Sequence, residues 1–448
     1  MRVDTIVHRA AIMCLVVLTT ASAQPVTPLP LTMGEAARRA REVGLPMAAS
    51  VARAAQVESR VNQRRAELLP LVNGIAESNS RSFNTATLGL DFPALPGQPP
   101  FFDPNGEVVG PVPVSDVRAR VQQTLYDGAA WARLRLARQQ GVASRSETAQ
   151  VGAAAATQAA IAYVRVLRAE AVFDARSADS TLAADLLRIA RETLRAGTGV
   201  ALDVTRAESQ LVSIRSQLIA ARVERDKAQL ELRRNINVSL DQPLQLTDAL
   251  DAGELVIPEE GNALTTAERM RPEIAVLDAQ LSTSRLATRA IHAERLPTVS
   301  AVADNGFIGK EPTRLLNTWT WALRVTVPVF DGMKRQARAL EQSLAETELD
   351  ARRADLIAQV NVDVRSALLD AAAAREGVAA ARERLKLAEQ EVSQSRERFA
   401  AGISGNLDVT SALLGLSGAR TQLVDALAAR QLARISIARS QGSVSSLR

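Results

Sequence analysis

The 448 residues of this chain state one half twice, and that repeat limits the possible folds more than any single motif does. Leu125-Tyr126-Asp127-Gly128 returns 204 positions later as Val329-Phe330-Asp331-Gly332. Gly197 to Thr205 (GTGVALDVT) returns 205 positions later as Gly402 to Thr410 (GISGNLDVT). Upstream, Ala66-Glu67-Leu68-Leu69-Pro70 is answered at an offset of 227 by Ala293-Glu294-Arg295-Leu296-Pro297. Two structural repeats are therefore expected, over 24–255 and 256–448. Each should hold a leading helix, a strand pair and a helical hairpin, with the hairpins turning at 195–203 and 400–408.

A sevenfold pattern gives the hairpins their character. Val364, Ala371, Val378, Leu385, Val392 and Phe399 recur every seven residues, with Ala367, Ala374, Ala381, Ala388 and Ser395 three positions after the first five. These are the a and d positions of a coiled coil, and alanine at d lets helix axes approach closely. The first half repeats the pattern with Val166, Phe173, Ser180, Leu187 and Leu194 at a and Ala162, Ala169, Ala183 and Ala190 at d; only Arg176 breaks the row of small residues. After each glycine turn the spacing resumes, from Val204 through Ala207, Leu211, Ile214 and Leu218 and from Val409 through Ala412, Leu416, Ala419 and Leu423. The stretch from Met333 to Ala401 contains no proline, so at 1.5 Å per residue one helix of roughly 100 Å is expected there.

Between the helices the period changes to two. Trp319, Trp321, Leu323, Val325, Val327 and Val329 alternate with Thr320, Ala322, Arg324, Thr326 and Pro328. That is the length and pattern of a strand crossing an outer membrane, with one face to lipid and one to a wet lumen. Val117, Ala119 and Val121, set against Arg118, Arg120 and Gln122, form its counterpart in the first half. Preceding partners are expected near Leu71 to Phe83 and Thr298 to Phe307, and the Pro/Gly-rich stretch 84–114 reads as a long extracellular loop. Four strands cannot close a barrel, and an unpaired edge in hydrocarbon costs several kcal/mol per peptide group. Copies of the chain must share one barrel.

Arg2 and Arg9, the apolar run Ala10 to Leu18 and the small-x-small site Ala21-Ser22-Ala23 read as a secretory signal peptide over 1–23. Its apolar stretch is shorter than the about 20 residues a spanning helix needs. The only cysteine, Cys14, lies inside it, so the mature chain is expected to have no disulfide, thiolate metal site or cysteine nucleophile. His292 would be the single remaining histidine, and a lone imidazole makes neither a zinc site nor a Ser/His pair. Without Arg2, Arg9 and Asp4 the 54 basic and 49 acidic residues become 52 and 48, a mixed solvated surface with no basic block for nucleic acid. Glu67 and Glu294 read as helix-terminal surface residues rather than a catalytic pair. No Gly-rich loop carries the Lys-Ser/Thr of a phosphate cradle, so no cofactor and no enzyme activity are expected.

Taken in order, these motifs resemble those of the TolC family of outer-membrane efflux proteins over nearly the whole mature chain. The ordered set is Thr32-Met33-Gly34-Glu35-Ala36, Leu68-Leu69-Pro70, Tyr126-Asp127-Gly128, and Arg195-x-Gly197 with Leu202-Asp203-Val204. It is matched by Arg271-Pro272-Glu273, Leu296-Pro297, Phe330-Asp331-Gly332, and Gly402 with Leu407-Asp408-Val409. The resemblance implies a mainly α fold with a transmembrane β part: a homotrimer whose twelve strands form one β-barrel in the outer membrane, continued across the periplasm by an α-barrel of coiled-coil hairpins. It also implies that the two tips close the periplasmic end and dock a periplasmic adaptor, which links the duct to an inner-membrane pump.

Tip chemistry has two readings. Gly197 and Gly402 supply the permissive backbone of a tight reversal, and Asp203 and Asp408 sit where a carboxylate could cap the returning helix. In the family pattern the second aspartate instead belongs to an acidic gate ring, a position Asp408 matches. The ring's other acidic residue, three positions on, is Ser411 here, which predicts a closed mouth less inviting to cations. The reading from another class is a periplasmic coiled-coil scaffold or adaptor without a pore, which would share the heptads but not need four membrane-length strands.

Overall fold

The computed structural model describes residues 27–88, 97, 106–253, 255–401, 403 and 405–444; the expected signal peptide, most of the first strand-pair loop and Gly402 lie outside them. The chain opens with a short strand, β1 (Leu29–Leu31), and helices α1 (Met33–Val43) and α2 (Leu45–Ala66). Strand β2 (Leu71–Asn84), a 3-10 turn and β3 (Val108–Asp127) lead into α3 (Gly128–Arg195) and α4 (Ala201–Asn235). The second half runs β4 (Leu244–Leu246), α5 (Glu260–Met270), α6 (Pro272–Ala293), β5 (Thr298–Gly309), β6 (Leu316–Thr326), α7 (Lys334–Ala400) and α8 (Asn406–Ser440).

α3 and α7, of 68 and 67 residues, run about 100 Å each. Each is flanked toward the sheet by a 22-residue helix, α2 or α6, and toward the far end by a 35-residue helix, α4 or α8. Both long helices start from the repeated Asp-Gly step. Asp127 Oδ1 accepts from Ala130 N at 2.9 Å, and Asp331 Oδ2 accepts from Arg335 N at 3.1 Å, so each carboxylate satisfies an N–H at the helix start. The Arg335 guanidinium also donates to Asp331 and holds its pKa below the ordinary carboxylate value.

The expected seams are built as written. Val364, Ala367, Ala371, Val378, Ala381, Ala388 and Val392 are buried along α7, and Ala183, Leu187 and Ala190 pack with Ala207, Leu211 and Ile214 between α3 and α4. At the waist a larger core gathers α1, the middle of α3 and parts of α4, α7 and α8. Its centre is Tyr163, fully buried, whose hydroxyl donates to Leu31 O at 2.9 Å and accepts from Asp248 N at 3.3 Å. Burial pushes the phenol far above its ordinary pKa, so it stays a neutral donor. β1 and β4 pair in parallel beside it, a three-residue contact too short to leave a periodic signal in the sequence.

The four longer strands form one antiparallel sheet in the order β2-β3-β5-β6, so the two repeats meet at β3 and β5, and β2 and β6 are its edges. Two boundaries differ from expectation. β6 ends at Thr326 although the alternation continues to Val329, because Pro328 has no N–H for a ladder. β3 begins at Val108, so the connection expected over 84–114 is shorter, and its last seven residues belong to a strand. β5 reaches only to Ser115, so beyond it the ribbon of β2 and β3 projects alone. Pro111 and Pro113 share one parity there and deprive the uncovered edge of donors, which protects it from pairing with foreign strands.

Candidate functional site

Register separates the sheet into two chemical faces. One carries Val72, Gly74 and Ala76, then Val117, Ala119 and Val121, then Ala301, Ala303, Asn305 and Phe307, and finally Trp319, Trp321, Leu323 and Val325, so that Asn305 is its one polar member here. Its large residues, from Val72 to Val325, are exposed and apolar, with no covering element among the described residues. A surface like this in water would be a severe liability, whereas it suits contact with lipid. Trp319 and Trp321 sit toward the end of β6 remote from the helices, which suits an interfacial aromatic girdle.

The opposite face is polar and holds a cluster of charges. Arg118 Nη1 donates to Asp304 Oδ1 at 3.0 Å, and its Nε donates to both Asp116 oxygens at 2.9 and 2.8 Å. Asp304, 5% exposed, also lies 3.5 Å from Arg120 Nη2. Gly306 stands directly across from Arg118 in the ladder, and a Cβ there would lie 2.3 Å from that of Arg118. The missing side chain gives the guanidinium room to lie over the sheet.

At the other end of the molecule the hairpins turn. Arg195 is the last residue of α3, Gly197 takes φ +75°, and the N–H groups of Thr198 and Gly199 return to Thr193 O at 3.1 and 3.0 Å. A Cβ on Gly199 would stand 2.8 Å from Thr193 Oγ1 and 2.9 Å from Leu194 N, so two glycines make this turn. Leu202 and Leu407 are exposed, Val204 is half-buried and Val409 is fully buried. Asp203 and Asp408 are not N-caps: Val200 and Gly405 hold those positions without side-chain bonds, and each aspartate is the third residue of its helix. There a carboxylate complements the helix dipole without closing a cap. Asp408 and Ser411 are both exposed, one turn apart on α8.

Two polar links between the hairpins had no part in the tip reading from sequence. Asn406, 2% exposed, donates from Nδ2 to Asp203 O at 2.9 Å, tying the start of α8 to the start of α4. It replaces Ala201 of the first repeat, so its only sequence signal is a departure from the repeat. Higher up, Arg176, the break in the small-residue row, donates to Ser417 Oγ, to Thr421 Oγ1 at 3.0 Å and to Asp179 at 3.3 Å. Arg420 completes the cluster with a 2.6 Å bond to the buried Asp179. Thus α8 is fastened to α3 by hydrogen-bonded charges, which costs little only because every charge finds a partner. Among the described residues no group of acidic, histidine or cysteine side chains is placed to hold a metal, and no helix is long and apolar enough to cross a membrane.

The architecture has close counterparts among solved structures. The outer membrane channel CmeC of Campylobacter jejuni superposes with a TM-score of 0.74 at 15% identity, over 92% of this chain and 85% of that one. VceC of Vibrio cholerae, an outer membrane protein, gives 0.71 at 14% identity over 92% and 96%. The MtrE outer membrane channel of Neisseria gonorrhoeae, solved in its open state, gives 0.70 at 18% identity over 92% and 88%. At these identities the likeness speaks for the fold. No curated relative matches the sequence. The family model described as outer membrane efflux protein matches residues 37–238 and 263–443, one stretch in each repeat.

Proposed function

Because this chain belongs to the outer membrane efflux protein family, we propose that three copies close one barrel and one tunnel, the exit for solutes that an inner-membrane pump delivers through a periplasmic adaptor. The chain is an outer-membrane exit duct of an efflux system.

One observation carries the assembly: faces covered where the two repeats meet are bare at the chain's outer limits. Inside the chain α8 packs on α3 through Ser417, Val424, Ala428 and Ile435. Their repeat equivalents on α4, 205 positions earlier, are Val212, Ile219, Val223 and Leu230, all exposed. On the facing side Val164 of α3 is 1% exposed, while its equivalent on α7, Leu369, is 71% exposed. The sheet repeats the logic, since β3 pairs with β5 internally and β6 and β2 remain open. The missing partner of each outer face is therefore the opposite outer face of another copy, and repeating one such junction closes a ring. Twelve strands from three copies leave no edge in lipid.

The polar face of the sheet then lines the barrel, and the tips form the periplasmic end of the duct. Leu202, Leu407 and Ile403 stand exposed there and suit docking of a helical adaptor, with Arg195, Gly197, Gly402 and the Asp203-Val204 and Asp408-Val409 steps shaping the contact. Asp408 supplies one acidic ring at the mouth, and Ser411 adds none. Opening separates α8 from α4, so the Asn406 bond is broken as the mouth widens, and an adaptor that binds only the separated tips favours the open form. The chain is a passive conduit without catalysis. A periplasmic scaffold without a pore would have no use for the uncovered apolar sheet face.

The test is a double substitution, Arg215→Cys with Arg384→Cys, treated in membranes with a short thiol-to-thiol linker. These positions are the repeat equivalents of Arg420 and Asp179, which touch within the chain. Bridging should yield dimers and trimers of the chain; monomers alone would refute the junction.

A further inference from the structure

Resting on the shared barrel just proposed, the lumen face carries an inference about its cargo. Its charges are not equivalent. Arg118 is fully engaged, bonded to Asp116 on its own strand and to the buried Asp304 across the ladder. Arg120 is not: its closest carboxylate contact is 3.5 Å, with the same Asp304 that Arg118 already occupies, and its Nε is buried with no hydrogen-bond partner. Its side chain is 43% exposed on the lumen side. Arg324, also exposed on that face, makes no ion pair among the described residues. It pairs with Ser300, four positions from Asp304 along β5, so it lies about 13 Å along the strand toward the helices.

From the helical end outward, a solute thus meets Arg324 and then Arg120 before the first exposed acid, Glu77, which stands level with Asp116. We propose that Arg324 and Arg120 form two successive cationic rings in the barrel that bind anionic solutes, carboxylates or phosphates, in transit. Each guanidinium keeps a free donor edge for an oxyanion, the geometry in which arginine binds most strongly. Asp304 is the positioning residue: together with Asp116 it takes up Arg118 and leaves Arg120 and Arg324 to face the stream ahead of Glu77. A 13 Å spacing exceeds the screening length of about 8 Å at physiological salt, so the rings act as separate sites rather than one.

Inorganic tripolyphosphate applied to the barrel side of membrane-inserted protein provides the probe, with ion current as the readout. Block by tripolyphosphate is expected, with no block by spermine from the same side. Arg120→Gln and Arg324→Gln should each raise the half-blocking concentration about tenfold, the loss of one charge-assisted contact. Arg120→Lys should restore most of it, and Asp304→Asn, which removes the one carboxylate near Arg120 and one of the two that hold Arg118, should lower it. Equal block of the wild type and both Arg→Gln variants, or block by spermine instead, would overturn the rings while leaving the channel intact. Absence of any current from inserted, cross-linkable protein would overturn the channel reading and the rings together.

Discussion

Asn406 and Arg271 show how much single residues decide. The Asn406 carboxamide holds the two tips together by one bond to a backbone carbonyl, and such a bond contributes about 1 kcal/mol. Asn406→Ala should therefore raise the open population per copy about fivefold, seen as increased basal current with only a small fall in melting temperature. An unchanged current would show that the link does not hold the mouth shut. At the opposite end of the hairpin, Arg271, 6% exposed, donates to Asp363 Oδ2 at 2.8 Å. Burial alone would raise the Asp363 pKa, but bonds from Gln359 and Arg271 outweigh it and hold the group below its ordinary 3.8. A carboxylate lowered by folding contributes stability that is full above its ordinary value and is lost as the pH falls through the lowered one. Melting curves between pH 6 and pH 3 should show an acid-sensitive component that Asp363→Asn removes. Arg271→Met should cost on the order of 2 kcal/mol at neutral pH, because it strands the carboxylate.

At the scale of elements, the sheet and the helices answer to different rules. Gly306→Ala would put a methyl 2.3 Å from Arg118 Cβ and 2.5 Å from Val117 O, atoms that cannot yield without parting β3 from β5. It should cost about 1–3 kcal/mol and lower the yield of assembled protein far more than Gly74→Ala, whose added methyl meets nothing within 4 Å. Elements with a long period were legible before any coordinates: the heptads of α3 and α7 and the alternation in β3 and β6 recur over many residues, so local exceptions cannot hide them. Shorter or aperiodic features were not. β1 and β4 span three residues each, and the aspartates of the tips resemble caps until Val200 and Gly405 prove to hold those positions. Arg176 was visible as an anomaly, but its partners Ser417 and Thr421, and Arg420, which joins them through Asp179, come from a helix more than two hundred residues away. Sequence spacing does not report such a contact.

For the whole molecule, the duplicated half explains why the chain is incomplete by itself. The internal junction between repeats is a worked example of the junction the outer faces need, and it differs from it in one respect. Where the inner seam has Asp179 and Arg420, the outer seam has Arg384 and Arg215, so copies join through Val212, Ile219, Leu369 and their neighbours rather than through opposite charges. Val212→Ser with Ile219→Ser should weaken association by about 2–3 kcal/mol per junction while the separate chain folds as before, because both side chains are already exposed in it. The most direct measurement is the mass of the particle released from membranes by mild detergent. Three chains in one particle is the expected result; a single chain that remains folded and monodisperse would contradict the shared barrel.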